Sequence, residues 1–203
     1  MNAAALNAAA VVVAFFVGAI PFGVLVSRAF YGTDIRRSGS GNIGAANALR
    51  TLGKRGAVAV LALDALKGFA PVLAFGALGG LEPAALAALA AVVGHCWSPF
   101  LSFKGGKGVA TLLGAVIALW WPSGAAFGLV WIAAVVACGY ASVGSMLAAL
   151  AMAPVLWFGL GPIGFAYGAV AALIIVFRHR DNLDRLRRGT ENRLNLLKAP
   201  RQS

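Results

Sequence analysis

The chain has 203 residues, of which 61% are hydrophobic and only 11% charged, at a mean hydropathy of +0.86. A soluble domain carries about 25% charged residues, so a soluble globular protein is excluded, and the expected fold is all-α: one integral membrane domain over 1–203, its backbone hydrogen bonds satisfied internally. The formal net charge of +11 lies between and after apolar runs, which points to membrane topology and anionic substrates and away from nucleic acid.

Seven apolar segments are expected as helices, roughly 8–29, 56–79, 83–101, 107–121, 124–141, 143–160 and 162–178. Several fall short of the ~20 residues of a straight span, so some stop part-way, where the protein buries their ends. Five spans with two re-entrant segments is the alternative. The first segment lacks a basic leading stretch and a clear cleavage site, so it reads as a span and not a removed signal.

The polar stretch after it runs Ser40-Gly41-Asn42-Ile43-Gly44-Ala45-Ala46-Asn47-Ala48-Leu49-Arg50. A glycine-serine loop opening a helix can aim backbone N–H groups and the helix dipole at an anion; the plainer reading is a capped interfacial helix. Asn47 and Arg50, three apart, share a helix face, and Lys54 is expected to continue it. Asp64 and Lys67 follow, with Asp64 about 13 Å along the second span at 1.5 Å per residue. Ionisable groups at that depth are paired or functional, here either an internal ion pair or a support for the cationic residues of the loop.

The third span ends at Gly94-His95-Cys96-Trp97 and leads into Phe103-Lys104-Gly105-Gly106-Lys107-Gly108. Two ammonium groups and a glycine-rich turn opening a helix can surround a phosphate; the alternative is a pair of snorkelling lysines. The spacing is not that of a Walker A loop. His95 reads as a hydrogen-bonded structural histidine, and Cys96 and Cys138 as small hydrophobes with neither disulfide nor metal implied. Ser142 and Ser145 begin the sixth span, where serine usually bonds backbone or a neighbouring helix.

The tail, 179–203, follows Arg178, opens with His179-Arg180-Asp181-Asn182 and continues to Glu191 and Arg193. A basic helix on anionic lipid explains the arginines but not His179, Asn182 and Glu191. His179 and Asp184 have the H-x-x-x-x-D spacing of many membrane acyltransferases, yet on one helix their side chains diverge by about 140°, so the match is chance. With seven spans, the segments 30–55 and 102–107 and the tail share the basic face. That face is cytoplasmic by the positive-inside rule, with the N-terminus outside and Glu82 on the opposite side.

Taken together, Gly18-x-Ile20-Pro21-Phe22-Gly23, Asp34-Ile35-Arg36, SGSGNIGAAN, Asp64-x-x-Lys67-Gly68, FKGGKGVAT and RH-x-x-N-x-x-R-x-x-x-G-x-E-x-R occur in that order. The chain resembles the bacterial acyl-phosphate:glycerol-3-phosphate acyltransferase family over nearly its whole length. Asp64 stands alone without further acidic ligands, so no metal is inferred, and no cofactor is expected. The resemblance implies a multi-pass inner-membrane enzyme. It would move an acyl group from acyl phosphate to the sn-1 hydroxyl of glycerol 3-phosphate. The product would be lysophosphatidic acid, with the enzyme that makes acyl phosphate as a candidate partner. Carried over by position, Ser40, Asn42, Asn47, Arg50 and Lys54 match the first motif, and Lys104, Gly105, Gly106 and Lys107 the second, associated with glycerol 3-phosphate. Ser142 and Ser145 match a Ser-x-x-Ser pair, and His179, Asn182 and Glu191 the third motif. Three positions depart from it: Ala46 stands where Thr is expected, Ser98 where Pro is common and Gly139 where a basic residue often stands.

Two phosphorylated substrates require a cationic pocket, expected from Arg50, Lys54, Lys104, Lys107 and His179. Acyl phosphate is already activated, so oxyanion stabilisation by Ser40, Asn42 or loop amides suffices. No nucleophile–base–orienter set is evident. Catalysis is expected of Ser40, Asn42, Arg50, His179 and Asn182, by direct attack of the glycerol hydroxyl on the acyl carbon. A transporter of an organic phosphate is the rival reading; it calls for inverted repeats with broken helices, and no repeat is seen.

Overall fold

The structure, a computed structural model, describes residues 2–194. The described residues form nine helices: α1 (Ala3–Ala19), α2 (Phe22–Tyr31), α3 (Ala45–Thr51), α4 (Gly53–Gly79), α5 (Leu81–Cys96), α6 (Val109–Leu119), α7 (Trp121–Cys138), α8 (Ala141–Arg178) and α9 (Arg180–Arg187), with short 3-10 turns at Ile35–Arg37 and Pro99–Leu101.

The expected first span is two helices in line, α1 and α2, interrupted where Pro21 removes a backbone donor. Carbonyls freed in hydrocarbon need partners. Ser98 Oγ donates to Ala19 O at 2.6 Å and Lys67 Nζ to Ile20 O at 2.8 Å. The hydroxyl of Ser98 therefore caps the break.

α8 is long enough to be read as one span, but Gly161 breaks it with φ 65° and ψ −147°. A methyl built on Gly168 would lie 2.7 Å from Ala153 Cα, and one on Gly164 would lie 2.5 Å from Leu156 O. The arms 141–160 and 162–178 thus fold back on each other. Five stretches are long and apolar enough to cross a membrane, α8 counted once. Counting α1–α2 as one path, then α4, α5, α6, α7 and the two arms of α8, the chain has the seven apolar helical segments expected. The short one is α6, about 16 Å long at 1.5 Å per residue, and the glycine-rich loop before it completes its path.

Helices approach closely through glycine, as lipid-embedded packing demands. A methyl at Gly18 would sit 2.2 Å from Ala91 O and one at Gly94 2.1 Å from Phe15 O, so α1 lies directly on α5. Gly68 against Thr111 O and Gly114 against Ala65 O join α4 to α6 in the same way. Gly94→Leu is expected to force α1 off α5. Overpacking costs about 1–3 kcal/mol, or roughly 2–12 °C of melting midpoint in detergent for a chain of this size. An unchanged midpoint would contradict the packing described.

The two ends of the bundle differ sharply. At one, Asn7 Nδ2 donates to Glu82 Oε1 at 2.9 Å, and Trp120 packs on Gly159. The other end gathers the Ser38–Gly44 loop, the Lys104–Gly108 loop, the α7–α8 turn and the chain after Arg178.

Candidate active site

The first polar loop is held by one side chain. Asn47, buried in α3, takes the Ser40 N–H on Oδ1 at 2.9 Å. Its Nδ2 lies 3.0 Å from Ile35 O, 3.1 Å from Ser38 O and 2.8 Å from Asn42 O. Asn42 Oδ1 accepts from Gly44 N at 2.9 Å. The loop therefore wraps around an amide whose polar atoms are all used, which leaves the Ser40 hydroxyl and the Arg50 guanidinium free among the described residues. Gly39 and Gly41 supply the positive φ this turn needs, at 62° and 70°.

The glycine-rich loop is clamped from two sides. Gly106 N donates to His95 O at 3.0 Å, and the His95 ring lies flush against its Cα, where a methyl would come within 2.1 Å of Nε2. On the other side Arg178 donates from Nε to Gly106 O at 3.1 Å and from an η-nitrogen to Gly105 O at 3.0 Å, with its guanidinium 5.3 Å above the Trp97 ring. Gly108, at φ 80°, turns the chain into α6. The first amides of α6 have no intrahelical acceptor, and the positive end of its dipole faces the loop.

The segment after α9 folds back onto the start of α8. Glu191 accepts from Ser142 Oγ at 2.9 Å, Asn182 Nδ2 at 2.6 Å and Arg185 Nε at 2.7 Å. Lys107 Nζ donates to Asn182 Oδ1, so one chain of hydrogen bonds runs Lys107–Asn182–Glu191–Arg185. Leu194 N bonds Gly139 O at 2.7 Å, and the Arg193 guanidinium lies 5.4 Å over Tyr140. Gly139 itself is the left-handed cap of α7, φ 77°, and Arg193 brings a cation to this corner.

These three parts enclose a 350 Å³ cavity. Its polar side carries Ser40, Asn42, Arg50, Lys107, His179 and Asn182, and its apolar side Leu61, Leu113, Phe127, Trp131 and Ile132. Val109 and Ala110, in the first turn of α6, complete the wall beneath Lys107. A second, polar cavity of 500 Å³ adjoins it, reached by Lys104, Lys107, Arg178 and Arg185. Ser40, Asn42, Lys107 and Arg185 line both.

Burial, with the neighbouring Arg185 and Arg50 charges, pulls the Lys107 ammonium down to about 8, against the opposing pull of Glu191 and Asp181. Burial and then the Lys107 charge lower His179 to about 4. His179 Nδ1 is 2.8 Å from Ile175 O. A carbonyl only accepts, so Nδ1 carries the proton and Nε2 is the lone-pair nitrogen. Glu191 is held below the usual carboxylate range by its hydrogen bonds with Asn182, Arg185 and Ser142, against a burial effect in the opposite direction.

Several expectations need correction. Lys54 lies outside both cavities, because α3 ends at Thr51 and Gly53, at φ 77°, redirects the chain. His179 is not a cation of the pocket. It is neutral near pH 7 and offers an acceptor. Asn47, Ser145 and Glu191 touch the cavity, but their polar atoms serve the protein: Ser145 Oγ donates to Ala141 O at 2.7 Å and accepts from Trp131 Nε1 at 3.3 Å. Ser142 is likewise spent on Glu191. Gly106 is buried under His95, off the cavity surface, while Lys104 and Gly105 face only the second cavity. Asp184 is exposed and 3.4 Å from Arg188, in keeping with a chance motif.

The buried ions do more than lock the bundle. Lys67 Nζ is 2.7 Å from Asp64 Oδ1, and His95 Nδ1 is 3.7 Å from the same oxygen. Asp64 and His95 also form part of the cavity wall. Sequence reasoning missed Arg178 and Arg185, whose signal was hidden in a basic tail that lipid contact explains equally well. It also missed Trp131, one turn of helix from a glycine in an otherwise uniform apolar run.

Residues 8–189 match the family described as Glycerol-3-phosphate acyltransferase. The Glycerol-3-phosphate acyltransferase of Rhodopseudomonas palustris (strain BisB5) is 44% identical over 186 residues, covering 92% of this chain and 95% of that one. Glycerol-3-phosphate acyltransferase 2 of Moorella thermoacetica is 48% identical over 192 residues, 91% of this chain and 96% of its own. The crystal structure of PlsY (YgiH), an integral membrane glycerol 3-phosphate acyltransferase, in its glycerol 3-phosphate form, superposes with a TM-score of 0.90 at 36% identity, over 97% of this chain and 99% of that chain. Its lysophosphatidic acid form gives 0.86 at 35% identity, over 94% and 96%.

Proposed function

Because the chain belongs to the glycerol-3-phosphate acyltransferase family, of the PlsY type, we propose that its acyl donor is acyl phosphate and that transfer is direct. The family decides for acyl transfer over transport. The sn-1 hydroxyl of glycerol 3-phosphate attacks the acyl carbon, the bond from that carbon to the bridging phosphate oxygen breaks, and the hydroxyl proton passes to the departing phosphate. Lysophosphatidic acid and inorganic phosphate leave. That the related crystal structures hold glycerol 3-phosphate and lysophosphatidic acid supports this acceptor and product.

The observation that carries the reading is the two-sided cavity. Arg50, Lys107 and the amide end of α6 offer positive charge on one side, and an apolar wall suited to an acyl chain faces them. Ser142 donates to Glu191, but that carboxylate also accepts from Asn182 and Arg185 and is held in its weakly basic, ionised form, so it offers no activated nucleophile. An acyl phosphate needs none: its leaving group is already good, and what remains is to neutralise charge that develops on the oxyanion and the phosphate. His179 Nε2, neutral, accepts from the attacking hydroxyl and orients it. Asn182 and Glu191 hold Lys107 in place.

The polar end faces the cytoplasm and the N-terminus lies outside the inner membrane. The asymmetry between the basic loops and the Asn7–Glu82 end supports that orientation. It also presents the cavity to the enzyme that makes acyl phosphate.

Purified protein given acyl phosphate and glycerol 3-phosphate without metal should release one phosphate per lysophosphatidic acid. An inert mixture, with product only from another acyl donor, would overturn the donor assignment. The pH profile is a further test. Lys107 must be protonated to hold a phosphate, and its pKa in the free protein is about 8. The value of kcat/KM should therefore be level below that pH and fall up to tenfold per unit above it. Lys107→Arg, which keeps its charge, should remove the limb; a limb that persists in the variant would mean another group titrates.

A further inference from the structure

The cavity runs from Glu191 at the polar end down to Phe127 and Gly128 of α7. At 1.5 Å per residue, Gly128 lies about 15 Å below the C-terminal end of that helix, at the cavity's deep end. Gly128 differs from the packing glycines of this bundle. A methyl at Gly94, Gly114 or Gly124 would meet a neighbour within 2.2 Å, whereas one at Gly128 would meet nothing within 4 Å. Glycine inside a helix costs about 1 kcal/mol relative to alanine, and here no helix contact explains it. What the missing side chain leaves is empty space in the wall.

That space lies on a path outward. Leu61 of α4 and Ile132 of α7 line the same wall and are 43% and 53% exposed. Between them stands α6, too short to fill the bundle's height. Phe127, fully enclosed, and Trp131, tied to Ser145, close the wall on one side of Gly128.

We propose that Gly128 is the specificity-determining residue for acyl-chain length: its bare backbone is the opening through which a long chain leaves the deep end of the cavity toward lipid. A side chain at this position shortens the space and selects short chains. The inference rests on the acyl-transfer reading above, but not on which leaving group the donor carries.

The test uses full-length protein in detergent, with binding of palmitoyl and octanoyl lysophosphatidic acid measured by calorimetry. Turnover of the two matching acyl phosphates is measured alongside. Each methylene withdrawn from an apolar site weakens binding severalfold. Gly128→Leu should lower affinity for the palmitoyl product at least about tenfold, while octanoyl binding changes less than about threefold. Gly128→Ala, which suits a helix better, should fold at least as well and shift the ratio in the same direction by a factor of about two to three. An unchanged palmitoyl-to-octanoyl ratio in Gly128→Ala and in folded Gly128→Leu would overturn the proposal, as would equal loss for both chains. Wild-type protein inert toward both acyl phosphates, with chain-dependent product binding that Gly128 controls, would instead remove the donor reading and leave this one standing.

Discussion

Replacing Asn47 with Asp should lower kcat/KM by about a thousandfold while leaving the bundle folded. Aspartate has nearly the same shape and keeps the acceptor for Ser40 N, so nothing is lost in volume. What it loses is the donor that faces Ile35 O, Ser38 O and Asn42 O, and it sets a negative charge among three carbonyl dipoles. Each buried polar group left without a partner costs about 1–3 kcal/mol. The loop relieves that cost by opening, and Ser40 and Asn42 leave the cavity with it. A loss of about 4 kcal/mol of transition-state stabilisation is a thousandfold in rate. Because Ile35 and Ile43 keep the ends of the loop packed against α2 and α4, the melting midpoint should fall by only a few degrees. A variant retaining more than a tenth of wild-type activity would mean the loop does not depend on this amide.

Arg50→Ala should cost roughly a hundredfold to a thousandfold in kcat/KM. Arg50 has no hydrogen-bond partner among the described residues and lines the cavity; burial lowers its pKa from the ordinary arginine value, with Glu191 and Arg185 acting in opposite directions. A guanidinium stays charged in any protein setting, so it stands ready for a phosphate that arrives with its own charge. Truncating one side of such a pair costs about 2–5 kcal/mol. Arg50→Lys should recover only part of the loss, since a single ammonium cannot make the paired contact of the planar fork. Most of the effect should appear as a higher KM for glycerol 3-phosphate if the phosphate is held equally in ground and transition states. A KM unchanged in Arg50→Ala would assign the phosphate to another cation.

The helical segments and the break near Gly161 were legible because hydrophobic runs and Gly-Pro punctuation report directly on the backbone. So were the three polar segments that build the cavity, whose residue types are out of place in a membrane. Side-chain roles were less legible. Asn47 and Arg50 look alike from spacing, yet one amide is consumed by its own loop and one guanidinium is free. Face periodicity holds only within one helix, and the positive φ of Gly53 ended the face before Lys54. The charge of His179 depends on burial and on Lys107, a residue 72 positions away in sequence, and no local pattern encodes that. Glu191, an acid in a site for anions, makes sense only once its three donors are seen.

Direct transfer requires both phosphorylated substrates in the cavity together. Initial rates measured over a grid of acyl phosphate and glycerol 3-phosphate concentrations test that most plainly. The account predicts intersecting double-reciprocal lines, and no mass increase on protein incubated with acyl phosphate alone. Parallel lines, with an acyl group retained on the chain, would contradict it.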